Sequence, residues 1–156
     1  MKMKRLSSVL AILPWGASQW IEKNVVKYNG GIPMAKNVLL VDDSSTMRKI
    51  VTRSLRQAGL DFGDIFEAGD GLEALEVLEK EAVDIVLSDI NMPNMNGIEF
   101  LREKSGRDGI KDIPVFMIST ETGDDIIGEA KSLGAVGALK KPFTPDKVNE
   151  VLGPFM

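Results

Sequence analysis

The 156-residue chain contains no cysteine and no histidine. Without cysteine it has no disulfide, no thiolate nucleophile and no Cys-based zinc site. Without histidine it has no imidazole base, no imidazole metal ligand and no phosphohistidine of its own. No apolar run reaches about 18 residues, so no helix is expected to span a membrane. Internal repeats and low-complexity tracts are also missing. Basic charge is scarce over most of the length. Residues 34–156 hold 14 basic and 22 acidic side chains, a net charge of −8, whereas residues 1–33 hold five basic and one acidic. An acidic body is a poor match for nucleic acid, so no nucleic-acid partner is expected. It suits a divalent cation and partners with basic surfaces.

What is present supports one ordinary core. The length fits a single domain with a tail, and the hydrophobic share of 44% is typical. Residues 1–33 differ from the rest. Lys2-Met3-Lys4-Arg5, a short apolar run and Pro14-Trp15-Gly16 make a weak signal-peptide outline, or a basic interfacial helix. Pro14 and Gly16 interrupt both patterns. The expectation is a leader, disordered or translated from an upstream start, joined through a hinge at 29–33 to a folded unit over 34–156.

From Met34 the pattern is regular. Val38–Val41 is a short, continuously apolar strand, followed by Asp42-Asp43-Ser44-Ser45, any of whose last three residues can cap a helix. The helix places Met47, Ile50, Val51, Leu55 and Ala58 on one face and stops at Gly59. Ile65–Ala68 is a weaker strand. A helix opening at Gly71 carries Ala74, Leu75, Leu78 and Ala82. Val83–Leu87 reads as a third strand, after which Asn91-Met92-Pro93-Asn94 switches abruptly to turn chemistry. A short helix from Gly97 carries Ile98 and Leu101. Pro114–Ile118 is the fourth strand, and Ile126, Ile127, Ala130 and Leu133 mark the helix behind it. Val136–Leu139 is the fifth, and Thr144-Pro145 starts the last helix. Strands alternating with helices, several apolar on both faces, predict a doubly wound α/β domain with a parallel sheet.

In such a sheet ligands bind at the carboxyl ends of the strands. The first strand supplies Asp42 and Asp43 there, the third Asp89, the fourth Ser119 and the fifth Lys141. Each has an ordinary alternative as a cap, a turn or a surface charge. Together, at one edge, they point to chemistry. Three adjacent carboxylates repel one another. A Mg²⁺ ion with oxygen ligands removes that conflict, and its charge with that of Lys141 formally cancels the three aspartates.

The segments Val41–Val51, Ser88–Gly97 and Lys141–Thr144 resemble the response-regulator receiver domain, and within that family the chemotaxis receivers of the CheY type. The likeness covers about residues 36–152. It implies a five-stranded flavodoxin-like sheet of order 2-1-3-4-5; that order comes with the family and not from the spacing. It further implies Asp89 as phosphoacceptor, with Asp43 and Asp89 on Mg²⁺, Asp42 acting through water, and the backbone carbonyl of Asn91 completing the set. Ser119 would bond the phosphoryl group and Lys141 would pair with it, ahead of a cis peptide to Pro142. A histidine kinase would be the phosphodonor, a flagellar motor switch protein or other output protein the target, and a phosphatase a possible further partner. Because no effector segment is seen after the last helix, output is expected to be protein–protein contact in the cytoplasm, around residues 124–133 and 147–152. Intrinsic dephosphorylation is expected to be fast, from Asn91 and Glu121.

Three rivals remain open at this point. They are a stand-alone receiver in a phosphorelay or a non-motility pathway, an aspartate-nucleophile phosphatase, and a flavin-binding electron carrier. The phosphatase chemistry usually needs a second acid two residues past the nucleophile, where this chain has Asn91. The flavin carrier needs a phosphate cradle that Asp42-Asp43-Ser44-Ser45 does not provide. The resemblance also has a gap. Where CheY-type receivers have an aromatic ring three residues before the lysine, this chain has Ala138. The switch is therefore expected to rest on Ser119, Thr120 and the loop to Asp124, around Gly123.

Overall fold

The computed structural model describes residues 28–29, 32–33, 35–120 and 124–156. Contacts divide the chain into Met1–Met34 and Ala35–Met156. In the first unit, Tyr28–Asn29 and Ile32–Pro33 pair antiparallel, so the expected hinge contains a short ladder. The rest of the expected leader lies outside the described residues.

The second unit runs β1 Lys36–Val41, α1 Ser45–Gln57, β2 Phe62–Ala68, α2 Gly71–Lys80, β3 Ile85–Asp89, α3 Gly97–Ser105, β4 Val115–Ser119, α4 Asp124–Ser132, β5 Gly137–Lys140 and α5 Pro145–Leu152, then a 3₁₀ turn Gly153–Phe155. All five strands are parallel, in the order β2-β1-β3-β4-β5. This is the expected doubly wound sheet.

Successive residues of a strand face opposite sides, and here both sides are apolar. Val38 and Leu40 of β1 join Val51 and Leu55 of α1 and Val148 and Leu152 of α5 in one core. Leu39 and Val41 join Ala74, Leu75 and Leu78 of α2, Phe100 and Leu101 of α3 and Ala130 of α4 in the other. Burying each large side chain contributes roughly 1.5–3 kcal/mol, which is why the apolar runs, and not local propensity, set the strand positions. Ser44 caps α1 by accepting from Met47 N, and Thr144 caps α5 ahead of Pro145.

Several local expectations need correction. α2 does open at Gly71, and Asp70 before it is the cap, its side chain accepting from Glu73 N. Ala82 lies beyond α2 and is exposed. Ile50 and Ile126 belong to the apolar helical stripes yet are 49% and 41% exposed. Val136 precedes β5 and is 45% exposed. A periodic apolar stripe is broad enough to include rim positions, so periodicity overcounts the core.

Lys104, on α3, is buried where the periodicity gave no warning. Its Nζ donates to the Lys111 carbonyl at 2.9 Å. Burial lowers its pKa to about 8 from 10.5, against a smaller opposing pull from Asp112. The charged form is therefore disfavoured by folding. Stability from the neutral form is present above pH 10.5 and is lost as pH falls through about 8. Lys104→Met is expected to raise stability at pH 7 by roughly 1–2 kcal/mol, the relief of a buried charge less one lost hydrogen bond. The gain should shrink between pH 8 and 10.5. Urea midpoints at pH 7 and pH 10 check this; a variant less stable than wild type at pH 7 contradicts it.

Candidate functional site

The site forms where four strands end together. Asp42 follows the last residue of β1, and its N–H bonds the Ala68 carbonyl of neighbouring β2. The chain then turns at once into α1, and the Ser44 N–H donates to Asp42 Oδ1 at 2.9 Å. Asp43, between the strand end and the cap, is exposed. Asp89 closes β3, and its Oδ1 accepts from the Ile90 N–H at 2.7 Å. Lys141 follows β5, its N–H bonding the carbonyl of Ser119 at the end of β4 at 2.7 Å. The Lys141–Pro142 peptide is cis, as the resemblance implied.

Side chains from these ends meet. Lys141 Nζ lies 2.9 Å from Asp42 Oδ2 and 3.6 Å from Asp89 Oδ2. Asp42, Asp43 and Asp89 each offer a carboxylate oxygen within 4.8 Å of the others. Three carboxylates against one ammonium leave the cluster negative. Burial, the largest cause, raises the Asp89 pKa, and repulsion from Asp42 adds to it. Lys141 and the Ile90 N–H pull the other way.

An all-oxygen set of this size fits a hard divalent cation such as Mg²⁺. Both Asp42 oxygens already accept bonds, from Ser44 N and from Lys141. Asp89 is likewise engaged, by the Ile90 N–H and by Lys141, whereas Asp43 is the exposed member of the set. Asn91, exposed two residues past Asp89, leads out of the same strand end.

The remaining expected residues fall around this centre. Ser119 is buried at the end of β4. Thr120 lines an apolar pocket of about 330 Å³ together with Met47, Ile50, Lys141 and Phe143. Ala138 is half-buried on β5, opposite Met117 of β4, and packs on the core. Glu121 and Gly123 lie outside the described residues.

Two contributors escaped the sequence reading. A side chain at Gly97 would place its Cβ 2.4 Å from the Asp89 carbonyl oxygen, so only glycine lets α3 start this close to the end of β3. The Asn-Gly turn signal marked the position but not the reason. Arg48 donates to the Asp42 carbonyl and, at 2.9 Å, to Glu67 of β2. Nothing in the spacing pointed to it.

The family model described as "Response regulator receiver domain" matches residues 38–152. The chain belongs to the response regulator receiver family. The Vibrio cholerae chemotaxis protein CheY-3 is 44% identical over 115 residues, which cover 74% of this chain and 87% of the relative. A CheY homolog of Campylobacter jejuni is 40% identical over 121 residues, covering 74% and 92%. Among solved structures, the Vibrio cholerae chemotaxis protein CheY4 matches with a TM-score of 0.69 and 37% identity, over 78% of this chain and 99% of that one. This receiver is thus of CheY type, a signalling domain, and its family binds Mg²⁺ in an acidic pocket such as the one formed here. Among the described residues no helix is long and apolar enough to cross a membrane.

Metal affinity distinguishes ligands from neighbours. Asp43→Ala is expected to weaken Mg²⁺ binding at least about tenfold, or ~1.4 kcal/mol. Lys141→Ala should not weaken it, because it removes a competing cation and frees Asp42. Calorimetric titration of both variants checks this, and equal affinity of Asp43→Ala and wild type contradicts it.

Proposed function

We propose that this receiver accepts a phosphoryl group on Asp89 and signals by protein contact in chemotaxis. The observation that carries the proposal is the Asp89 carboxylate at a strand end, within the acidic cluster and 3.6 Å from Lys141. An Asp89 oxygen attacks the phosphorus of a phosphohistidine. The new O–P bond forms as the N–P bond to the donor imidazole breaks, and the imidazole takes up a proton. The chain has no histidine, so the donor is a histidine kinase or a small acyl phosphate. Bound Mg²⁺ would neutralise charge on the transferring group, held by Asp43, Asp89 and the Asn91 carbonyl, with Asp42 through water. Lys141 exchanges its bond to Asp42 for one to a phosphoryl oxygen, and the Ser119 hydroxyl donates another. Transfer of this kind needs positioning and charge balance more than covalent machinery.

The group is then lost to water, for which the small amide at Asn91 leaves room. Output passes through the face built by α4, β5 and α5, where Ile126 and Val136 expose apolar surface. The flagellar motor switch is the partner of choice, in the cytoplasm. One observation favours a second reading, a phosphorelay or non-motility receiver. Ala138 has no rotamer with which to report the state of Ser119. Residues 1–33 are a leader dispensable to all of this.

Incubation with acetyl phosphate and Mg²⁺ should add one phosphoryl mass to the intact protein, and none to Asp89→Asn or in chelator. A retained adduct in Asp89→Asn removes the acceptor from Asp89. The adduct should decay in seconds to minutes, and an hours-long lifetime favours the second reading. A chain starting at Met34 should lose less than about 2 kcal/mol of stability, since a larger change needs a named buried contact. Urea denaturation measures it.

A further inference from the structure

The loop between β3 and α3 carries Asn91 away from Asp89, and a turn of another element clamps it from outside. That turn is Asp70-Gly71, between β2 and α2. Asp70 is buried, and its two oxygens do different work. Oδ1 accepts from Glu73 N at 2.9 Å and caps α2. Oδ2 accepts from Asn94 Nδ2 at 2.8 Å, reaching across to the loop. Next to it, Gly71 N donates to the Met95 carbonyl at 3.0 Å. The Met95 side chain fills the space where a Cβ on Gly71 would stand, 2.6 Å from Met95 Cγ. Two hydrogen bonds and one close packing contact thus join a two-residue turn to two consecutive loop residues.

The loop needs such a hold. Asn94 has φ of +63°, a left-handed conformation that asparagine tolerates better than most residues but still at a cost. Its side-chain bond to Asp70 offsets that cost. At the far end the loop closes on itself, Gly97 N donating to the Ile90 carbonyl at 2.8 Å. Asn91 lies in the chain between Ile90, fixed by that closure, and Asn94, fixed by Asp70. The bond from Asn94, then the one from Glu73 N, keeps the Asp70 pKa below its ordinary value. Asp70 therefore remains a charged acceptor at neutral pH.

We propose that Asp70 and Asn94 are positioning residues for the metal and phosphoryl site: their hydrogen bond sets the path of the Ile90–Asn96 loop and so the place of Asn91 beside Asp89. This rests on the reading of the acidic cluster as a Mg²⁺-dependent phosphoacceptor site. It adds a control point at the β2–α2 turn that contributes no atom to that site. A change at the β2–α2 turn would reach the acceptor by moving Asn91, with no change in the carboxylates themselves.

The test is Mn²⁺ binding to the full chain, read by paramagnetic resonance of the free ion, with folding checked by circular dichroism. Asn94→Ala leaves the net charge unchanged, so a loss of affinity in it cannot come from charge removal. It is expected to weaken Mn²⁺ five- to tenfold while the protein stays fully folded, and Asp70→Asn to do the same. The double change Asp70→Asn with Asn94→Asp keeps the net charge and restores a donor–acceptor pair in reverse. It should bring the affinity back to within about threefold of wild type. Unchanged Mn²⁺ affinity in both single variants, with only a lower urea midpoint, makes the pair a structural cap and overturns the proposal. So does failure of the double change to recover. If wild type and Asp43→Ala are equally poor at holding Mn²⁺, the metal-site reading itself falls and takes this inference with it.

Discussion

Lys141 Nζ touches Asp42 at 2.9 Å and faces Asp89 at 3.6 Å. Those two contacts bind the end of β5 to the ends of β1 and β3, across a sheet in which the strands are far apart in sequence. A unit-charge pair at about 4 Å is worth on the order of 4 kcal/mol at an effective dielectric of about 20. The Lys141 and Asp42 side chains are only 7% and 9% exposed, so removing Lys141 would leave the buried Asp42 carboxylate without its cation. The lysine cannot satisfy three carboxylates alone. The excess negative charge suits the edge to a divalent cation.

The rest of the fold serves that edge. Strand order changes direction between β1 and β3, and the crevice there is where an open α/β sheet holds its ligands. Asp42 and Asp43 leave β1 and Asp89 ends β3, so the carboxylates flank the crevice. Buried apolar residues on both sheet faces fix the strands in register, Val41 beside Ser88 and Asp89 beside Ile118. A slip of one residue would turn every side chain to the opposite face. The core thus sets where the charges stand, and Gly97 lets α3 begin against the end of β3 without collision.

Much of this was legible in the amino-acid sequence. Four short apolar runs, each followed by acid, hydroxyl or lysine, were enough to place the strands and the edge chemistry. The order of the strands was not, because spacing does not say which strands are neighbours; it came with the family likeness. Ile50, Ile126 and Val136 show the limit of periodicity, which marks a stripe and not its rim. Lys104 shows a different limit. A lysine on α3 reads as solvated until the neighbouring loop is seen to bring the Lys111 carbonyl to it. The Asp70–Asn94 bond was hidden for the same reason. Each residue alone reads as a cap or turn former, and their meeting depends on how α2 and the loop after β3 pack.

The central claim is that the Asp42, Asp43 and Asp89 cluster, balanced by Lys141, is where this receiver takes up a divalent cation. A Mg²⁺ titration followed by backbone amide chemical shifts tests it most directly. The largest changes are predicted at residues 42–44 and 89–91 and at Lys141, saturating together, with little change at the opposite edge of the sheet. Saturable shifts centred elsewhere, with residues 42–44 and 89–91 unmoved, would contradict it.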